Sequence, residues 1–252
     1  MSQNHAEPGS YEIHPIAWVR SPFTQKFGVP RQAGLAAVPV DIVFEPAYSR
    51  PEAFVGLNEA SHLWVIGRFH LASADGDTPS LSVRPPRLGG NRRMGVFATR
   101  SSFRPNGLSL SAVRLLSMES KAGHMHLTVE GLDLVDGSPI FDVKPYLPYA
   151  DALPEAELAW AEQSPQRLAV DLAPGLGKEF DAIEQQRPGF LEQLCSVLEL
   201  DPRPAYHARR GTRGNSGRSY TIQFGDYDVS WAVEADGSLL IHSVRQLQPN
   251  QE

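Results

Sequence analysis

VRPPRLGGNRRMGVFATRSSFRPNGLSLS, residues 83–111, holds six arginines, three prolines and four glycines in one run without an acidic residue. Paired prolines stiffen a backbone, paired glycines permit a positive φ or close approach of a ligand, and arginine forks face a polyanion or a carboxylate. The run has neither Gly-x-Gly-x-x-Gly nor Gly-x-x-x-x-Gly-Lys-Ser/Thr, so it supports neither a doubly wound dinucleotide-binding fold nor a nucleoside-triphosphate loop. An adenine-containing ligand would need another architecture. The flanking sequence suggests one: Tyr11–Arg20, Val40–Phe44, His62–Leu71 (HLWVIGRFHL), Met94–Thr99 and His124–Val129 are rich in β-branched and aromatic residues and are separated by Pro/Gly clusters. Short strands at this spacing, with only Pro51–Asn58 reading as helix, predict a mainly β N-terminal domain, a barrel in preference to a sandwich.

The composition shifts beyond Pro145. Asp151–Ser164 (DALPEAELAWAEQS) is acidic, Ala-rich and bracketed by prolines, the pattern of a linker with a helical turn. Arg167–Leu172 then reads as a strand. Gly175–Leu200 reads as two helices broken near Pro188, with Phe180, Ile183, Phe190, Leu191, Leu194 and Val197 close to a 3.6 period. Strands at Tyr220–Phe224, Val229–Val233 and Leu239–Val244, the last after an Asp236-Gly237 turn, complete a small α+β C-terminal domain. The expected organisation is a disordered N-terminus at 1–10, the β domain at 11–150, a linker at 151–164, the α+β domain at 165–246 and a tail at 247–252.

The 252 residues carry 23 Lys and Arg against 29 Asp and Glu, a net charge of −6, which by itself argues against a nucleic-acid partner. Position matters more than the total. Residues 78–118 hold no acid but contain Arg84, Arg87, Arg92, Arg93, Arg100, Arg104 and Arg114. Residues 202–225 likewise hold only Arg203, Arg209, Arg210, Arg213 and Arg218, so the two windows carry +7 and +5 and the rest of the chain −18. All twelve charges are arginine forks, which grip two phosphate oxygens and stack on bases. The windows therefore predict RNA contact through Arg84, Arg87, Arg92, Arg93, Arg104, Arg203, Arg209, Arg210, Arg213 and Arg218. The competing reading pairs these arginines with acids of other segments.

Other classes are excluded or weakened. At 41% apolar and 9% aromatic residues the chain is not a disordered tail. No run approaches the ~20 apolar residues of a membrane helix, and Met1–Ser10 lacks the basic flank and apolar run of a signal peptide; a cytoplasmic protein without a membrane partner is expected. Cys195, the only cysteine, excludes an intrachain disulfide or a thiolate zinc cluster and reads as a core thiol. His124 and His126 share a strand face but have no third ligand nearby, so no metal is expected. In EGLDLVDGSPIFD (130–142) Asp136-Gly137 is turn chemistry, whereas Asp133, between Leu132 and Leu134, stands out as a candidate catalytic or ligand-binding carboxylate.

Five segments carry a resemblance: SPFTQKFGVPRQAGL (21–35), SHLWVIGRFH (61–70), VRPPRLGGNRRMGVFATRSSFRPN (83–106), GLDLVDGSPIFDVKPYLPYAD (131–151) and DPRPAY (201–206). Together they resemble the TrmO (TsaA-like) family of S-adenosylmethionine-dependent tRNA (adenine-N6)-methyltransferases, across about residues 11–245. The resemblance implies a single antiparallel β-barrel that binds S-adenosylmethionine, a C-terminal domain that helps hold tRNA, a homodimer with the cofactor site near the subunit interface, and N6-threonylcarbamoyladenosine at position 37 of threonine-accepting tRNA as substrate. Carried over by motif, the cofactor pocket would use Pro30, Arg31, Gln32, His70, Leu71, Arg100, Leu110, Gly131, Leu132, Asp133 and Leu134. One departure stands out: where members read Arg-Pro-Asn-Pro-x-Gly, this chain continues Arg104-Pro105-Asn106 with Gly107-Leu108-Ser109. The alternative function is an RNA-binding or regulatory protein with the same barrel that has lost methyl transfer.

Overall fold

The computed structural model describes residues 11–72, 81–85, 92–161, 164–204 and 218–248. The first half forms β1 (Ala17–Arg20), β2 (Pro39–Phe44), β3 (His62–Arg68), β4 (Ser82–Val83), β5 (Met94–Gly95), β6 (Leu108–Lys121), β7 (His124–Glu130) and β8 (Pro139–Pro145). Six of these close a barrel in the order β1-β2-β7-β6-β3-β8, every pairing antiparallel. Closure removes the free strand edges that invite aggregation. β2 and β7 follow strict alternation, with Val40, Ile42 and Phe44 facing Leu127 and Val129 inside, as period-two patterning requires.

Three expected elements differ. Residues 11–16 do not extend β1, which has partners on both sides only near Ala17 and Trp18. Met94–Thr99 is a two-residue ladder followed by a 3₁₀ turn at Val96–Ala98; Val96 and Thr99, three apart, are both buried while Phe97 is exposed, a three-residue period rather than that of a strand. Pro51–Asn58 is likewise 3₁₀ turns instead of an α-helix. The 14-residue β6 had no counterpart in the sequence reading.

The second half contains α1 (Pro148–Asp151), β9 (Val170–Leu172), α2 (Gly177–Gln186), α3 (Phe190–Leu198), β10 (Ser219–Phe224), β11 (Tyr227–Val233) and β12 (Leu239–Gln246). The helix pair breaks where Pro188 was expected to break it, with Gly189 supplying the left-handed turn at φ 80°. The sheet order is β10-β11-β12-β9, with β9 parallel to β12. Residues 1–10 and 249–252 lie outside the described residues.

A single buried cluster runs through both halves. The segment between β1 and β2 is what joins them. Phe23 packs edge-on against Phe224 at 5.7 Å, Pro22 O accepts the Gly225 N–H at 2.8 Å, and Arg167 Nη2 reaches Leu35 O at 2.7 Å. Gly28 lies so close to the sheet that a Cβ there would sit 2.1 Å from Ile222 Cδ1. The run 22–35 is thus held by the C-terminal sheet on one side and delivers its end to the mouth of the barrel.

Candidate functional site

β6 begins with its amphipathicity reversed. Ser109 and Ser111 are 3% and 1% exposed, whereas Leu108 and Leu110 are 39% and 53% exposed. The serines point into one end of the barrel, in register with Gly67 and Val65 of β3. Gly67 is required there: a Cβ would meet Pro139 O at 2.9 Å and Leu134 Cδ1 at 3.1 Å. Its absence lets the segment 131–135 cross the barrel end, with Leu132 and Leu134 both 1% exposed. Between them Asp133 faces the opposite way, and its Oδ1 accepts the Ser111 hydroxyl at 2.5 Å.

A second backbone closes over this carboxylate. Gly34 N donates to Gly131 O at 2.8 Å, and a Cβ on Gly131, at φ +87°, would lie 3.0 Å from Gly34 Cα. The neighbouring Ala33 N–H adds a small pull that lowers the Asp133 pKa. Gln32 Oε1 and Ser109 Oγ are buried without a partner. Arg100 Nη2 donates to Leu110 O at 3.4 Å, and Arg31 Nη2 to Arg203 O at 3.0 Å. Burial pushes the Asp133 carboxyl above the usual carboxylate range, against the Ser111 hydrogen bond, the backbone N–H groups and the Arg100 guanidinium, which pull it down.

Of the residues expected in one pocket, Arg31, Gln32, Arg100, Leu110, Gly131, Leu132, Asp133 and Leu134 gather here, with Pro30 on the same loop. His70 meets the chain just beyond the crossing segment, and Leu71 meets the 22–35 run. His70 Nδ1 pairs with Ser138 Oγ at 3.1 Å, and Leu71 O accepts Lys26 Nζ at 2.8 Å; burial lowers the His70 pKa, with Asp136 opposing. Two participants were missed: Ser111 and Ser138. The Leu-Ser-Leu-Ser alternation was a signal for the first, since polar residues on the inward face of a barrel strand mark a site. Asp136 and Gly137 do sit in a turn, closed by the Ser138 N–H on Val135 O at 3.2 Å, but not in the expected hairpin, since β7 and β8 are not neighbours; the Asp136 carboxylate instead accepts the distant Ser21 N–H at 3.0 Å. His124 is spent on Phe44 O at 2.8 Å, no metal-binding group appears among the described residues, and burial pushes the Cys195 thiol up to about 11, which leaves it inert.

The arginine windows divide. Arg84, Arg92, Arg93, Arg100 and Arg218 are exposed and take part in none of the ion pairs among the described residues. Arg87, Arg209, Arg210 and Arg213 lie outside the described residues. Arg104 is turned inward: its Nη1 donates to Thr99 O at 2.8 Å and tightens its own loop. Arg203 requires a correction. It is 6% exposed and its fork is held by Asp201, Nε to Oδ1 at 2.6 Å and Nη2 to Oδ2 at 2.8 Å, so its side chain is not available to a phosphate.

A family model described as the tRNA-methyltransferase O N-terminal domain matches residues 18–152, and one described as the TrmO C-terminal domain matches residues 165–247. The chain belongs to the TrmO family. Relatives in that family include the tRNA (adenine(37)-N6)-methyltransferase of Escherichia coli K12, 40% identical over 230 residues, 90% of this chain and 95% of the relative. The enzyme of the same name from Eikenella corrodens is 41% identical over 188 residues, 75% of this chain and 98% of the relative. A Pseudomonas aeruginosa relative, 41% identical across 88% of this chain and 92% of its own length, is named as a candidate S-adenosylmethionine-dependent methyltransferase. The crystal structure of TrmO from P. aeruginosa superposes with a TM-score of 0.77 at 32% identity, covering 96% of this chain and 100% of that one.

Proposed function

We propose that this protein is an S-adenosylmethionine-dependent tRNA methyltransferase that methylates N6 of the adenine at position 37, with N6-threonylcarbamoyladenosine of threonine-accepting tRNA as its substrate. Family membership over nearly the whole chain supports the reaction class. The observation that carries the site is the half-buried Asp133 held by Ser111 beneath the 30–34 loop.

The residues suit the cofactor. Gln32 Oε1 and Ser109 Oγ are buried polar atoms without protein partners, as expected of groups kept for a ligand. Arg31 and Arg100 suit its carboxylate, while His70 and Leu71 with Leu110 and the Gly131–Leu134 run supply the polar and apolar surround. When bound, S-adenosylmethionine supplies a methyl group on a sulfonium, which a nucleophile can displace without a metal. The chain's own contribution is positioning and proton handling. An adenine N6 lone pair is delocalised and weakly nucleophilic, so a nearby acceptor helps by taking its proton; Asp133 Oδ2 fills that role while Ser111 holds Oδ1. The raised pKa makes Asp133 a better base than an ordinary carboxylate.

In this reading residues 11–150 bind the cofactor, 165–246 contact tRNA, and 151–164 link them, in a cytoplasmic homodimer. The dimer is supported by exposed apolar side chains at Leu108 and Leu110, next to the site, and at Phe97 and Leu116 elsewhere on the barrel half. A barrel that binds RNA without methyl transfer is the second reading, favoured by the departure at Gly107-Leu108-Ser109. Gly107, at φ 62°, nonetheless closes on Arg104 O at 3.0 Å and accepts the Phe69 N–H at 2.8 Å, so the altered turn still feeds β6 into register.

Mass spectrometry of nucleosides from the tRNA of a deletion strain tests the proposal. Methylated threonylcarbamoyladenosine is expected to disappear, and purified protein with S-adenosylmethionine is expected to restore it; no loss in the strain supports the second reading. A separate measurement tests the RNA contacts. Replacing Arg209, Arg210, Arg213 and Arg218 with Ala is expected to weaken tRNA binding and to reduce the slope of log affinity against log salt by up to about one per lost phosphate contact. An unchanged slope would remove these arginines from the interface.

A further inference from the structure

Arg203 combines two costs at one place. Its guanidinium is almost fully buried, yet Nη1 has no hydrogen-bond partner, and a buried charge with an unsatisfied donor is a poor way to stabilise a fold. Its partner Asp201 sits at φ 51°, one of only two non-glycine residues with positive φ among the described residues, a conformation that L-residues adopt at a cost. Backbone strain beside a buried, under-satisfied ion pair points to a functional constraint. What the pair touches supplies the function: the Arg203 carbonyl accepts Arg31 Nη2 at 3.0 Å. Arg31 begins the short stretch whose Gly34 N–H binds Gly131 O at 2.8 Å, two residues before Asp133.

We propose that Arg203, hooked back on Asp201, is a positioning residue for the methyl-transfer site, fixing the carbonyl on which Arg31 hangs and so holding the 30–34 loop against Asp133. The assignment rests on the function proposed above. It makes the C-terminal half part of the site's geometry as well as a platform for RNA. Because the side chain works through its own backbone carbonyl, the side-chain requirement is for the two-point fork. A lysine keeps the charge but cannot span both carboxylate oxygens of Asp201.

Asp201→Asn and Arg203→Lys in the full-length protein test this, with amide hydrogen exchange read on the protein alone and S-adenosylhomocysteine as the binding probe. Exchange across residues 31–34 is expected to accelerate about tenfold, while β2 and β7 keep wild-type protection. Probe affinity is expected to fall about fivefold, with tRNA affinity within about twofold of wild type. In an Arg31→Met background, where the hook has nothing to hold, Asp201→Asn is expected to add no further loss of probe affinity, the non-additivity that marks residues acting in series. Unchanged loop exchange with a loss of tRNA affinity would overturn the assignment and return Arg203 to the RNA interface; general loss of protection in β2 and β7 would overturn it in favour of a purely structural pair. If the wild-type protein does not bind the probe, the proposed function fails, and the exchange comparison still decides whether the hook positions the loop.

Discussion

Asp133→Asn is expected to lower single-turnover methylation by about 100-fold or more, the range for removal of a positioned proton acceptor, while S-adenosylhomocysteine affinity changes by less than about fivefold. The isosteric amide keeps the acceptor oxygen facing Ser111, so the loss reports proton handling rather than shape. The pH dependence adds a second signature. Burial raises the Asp133 pKa, so wild-type activity should fall, on acidification, at a pH above the ordinary carboxylate value of about 4, and that limb should vanish in the asparagine variant. Stability moves the other way. A carboxyl whose folded pKa is raised binds more protons folded than unfolded, so its contribution to stability is fully present below the unfolded pKa and is lost as pH rises through the folded one. Asp133→Asn, which does not titrate, is therefore expected to gain stability relative to wild type as pH rises, with the difference closing at low pH. Equal activity in the two proteins would remove Asp133 from the chemistry.

Gly28→Ala is expected to cost about 3 kcal/mol or more, from overpacking combined with an unfavourable backbone region, and to lower Tm by about 6–12 °C. A Cβ at Gly28 meets Ile222 at 2.1 Å on Cδ1 and 2.7 Å on Cγ1, and Ile222 is fully buried, so it cannot swing aside without disturbing the C-terminal sheet. The φ of +93° adds strain of its own. Gly123→Ala separates the two effects, because Gly123 has a similar φ of +82° in open space and should lose only about 1 kcal/mol. Near-equal losses in the two variants, read by thermal or urea unfolding, would mean that the contact between the 22–35 run and β10 contributes little.

These two residues differ in how far the sequence revealed them. Asp133 was visible as a polar residue between leucines, and the barrel was visible in the short β-branched and aromatic runs at β2, β3 and β7 and the Pro/Gly clusters between them. Gly28 was one glycine among 21, and its role depends on Ile222, nearly two hundred residues away, which no local pattern encodes. β6 was missed for a related reason. Strand patterning assumes that the apolar set faces inward, and at Leu108–Ser111 the sets are exchanged. Among the described residues Arg84, Arg92, Arg93, Arg100 and Arg218 make no ion pair, whereas Arg114 pairs with Glu130 and Arg203 with Asp201, whose carboxylate lies two residues upstream, just outside the acid-free run. The gathering of residues 31–34 with 131–134 was implied only by the family resemblance, since it depends on a glycine–glycine backbone contact.

The reversed face of β6 bears on how this protein can change over time. Inward serines and outward leucines alternate with a period of two, so inserting or deleting one residue within the strand would drive Leu108 and Leu110 into the barrel mouth and expel Ser109 and Ser111, with no change in composition. A two-residue change in the connection before the strand leaves the alternation intact. The turn at Asn106-Gly107 can therefore vary in length by even steps while the site survives, and an odd step anywhere between Leu108 and Ser111 removes the hydroxyl on which Asp133 depends.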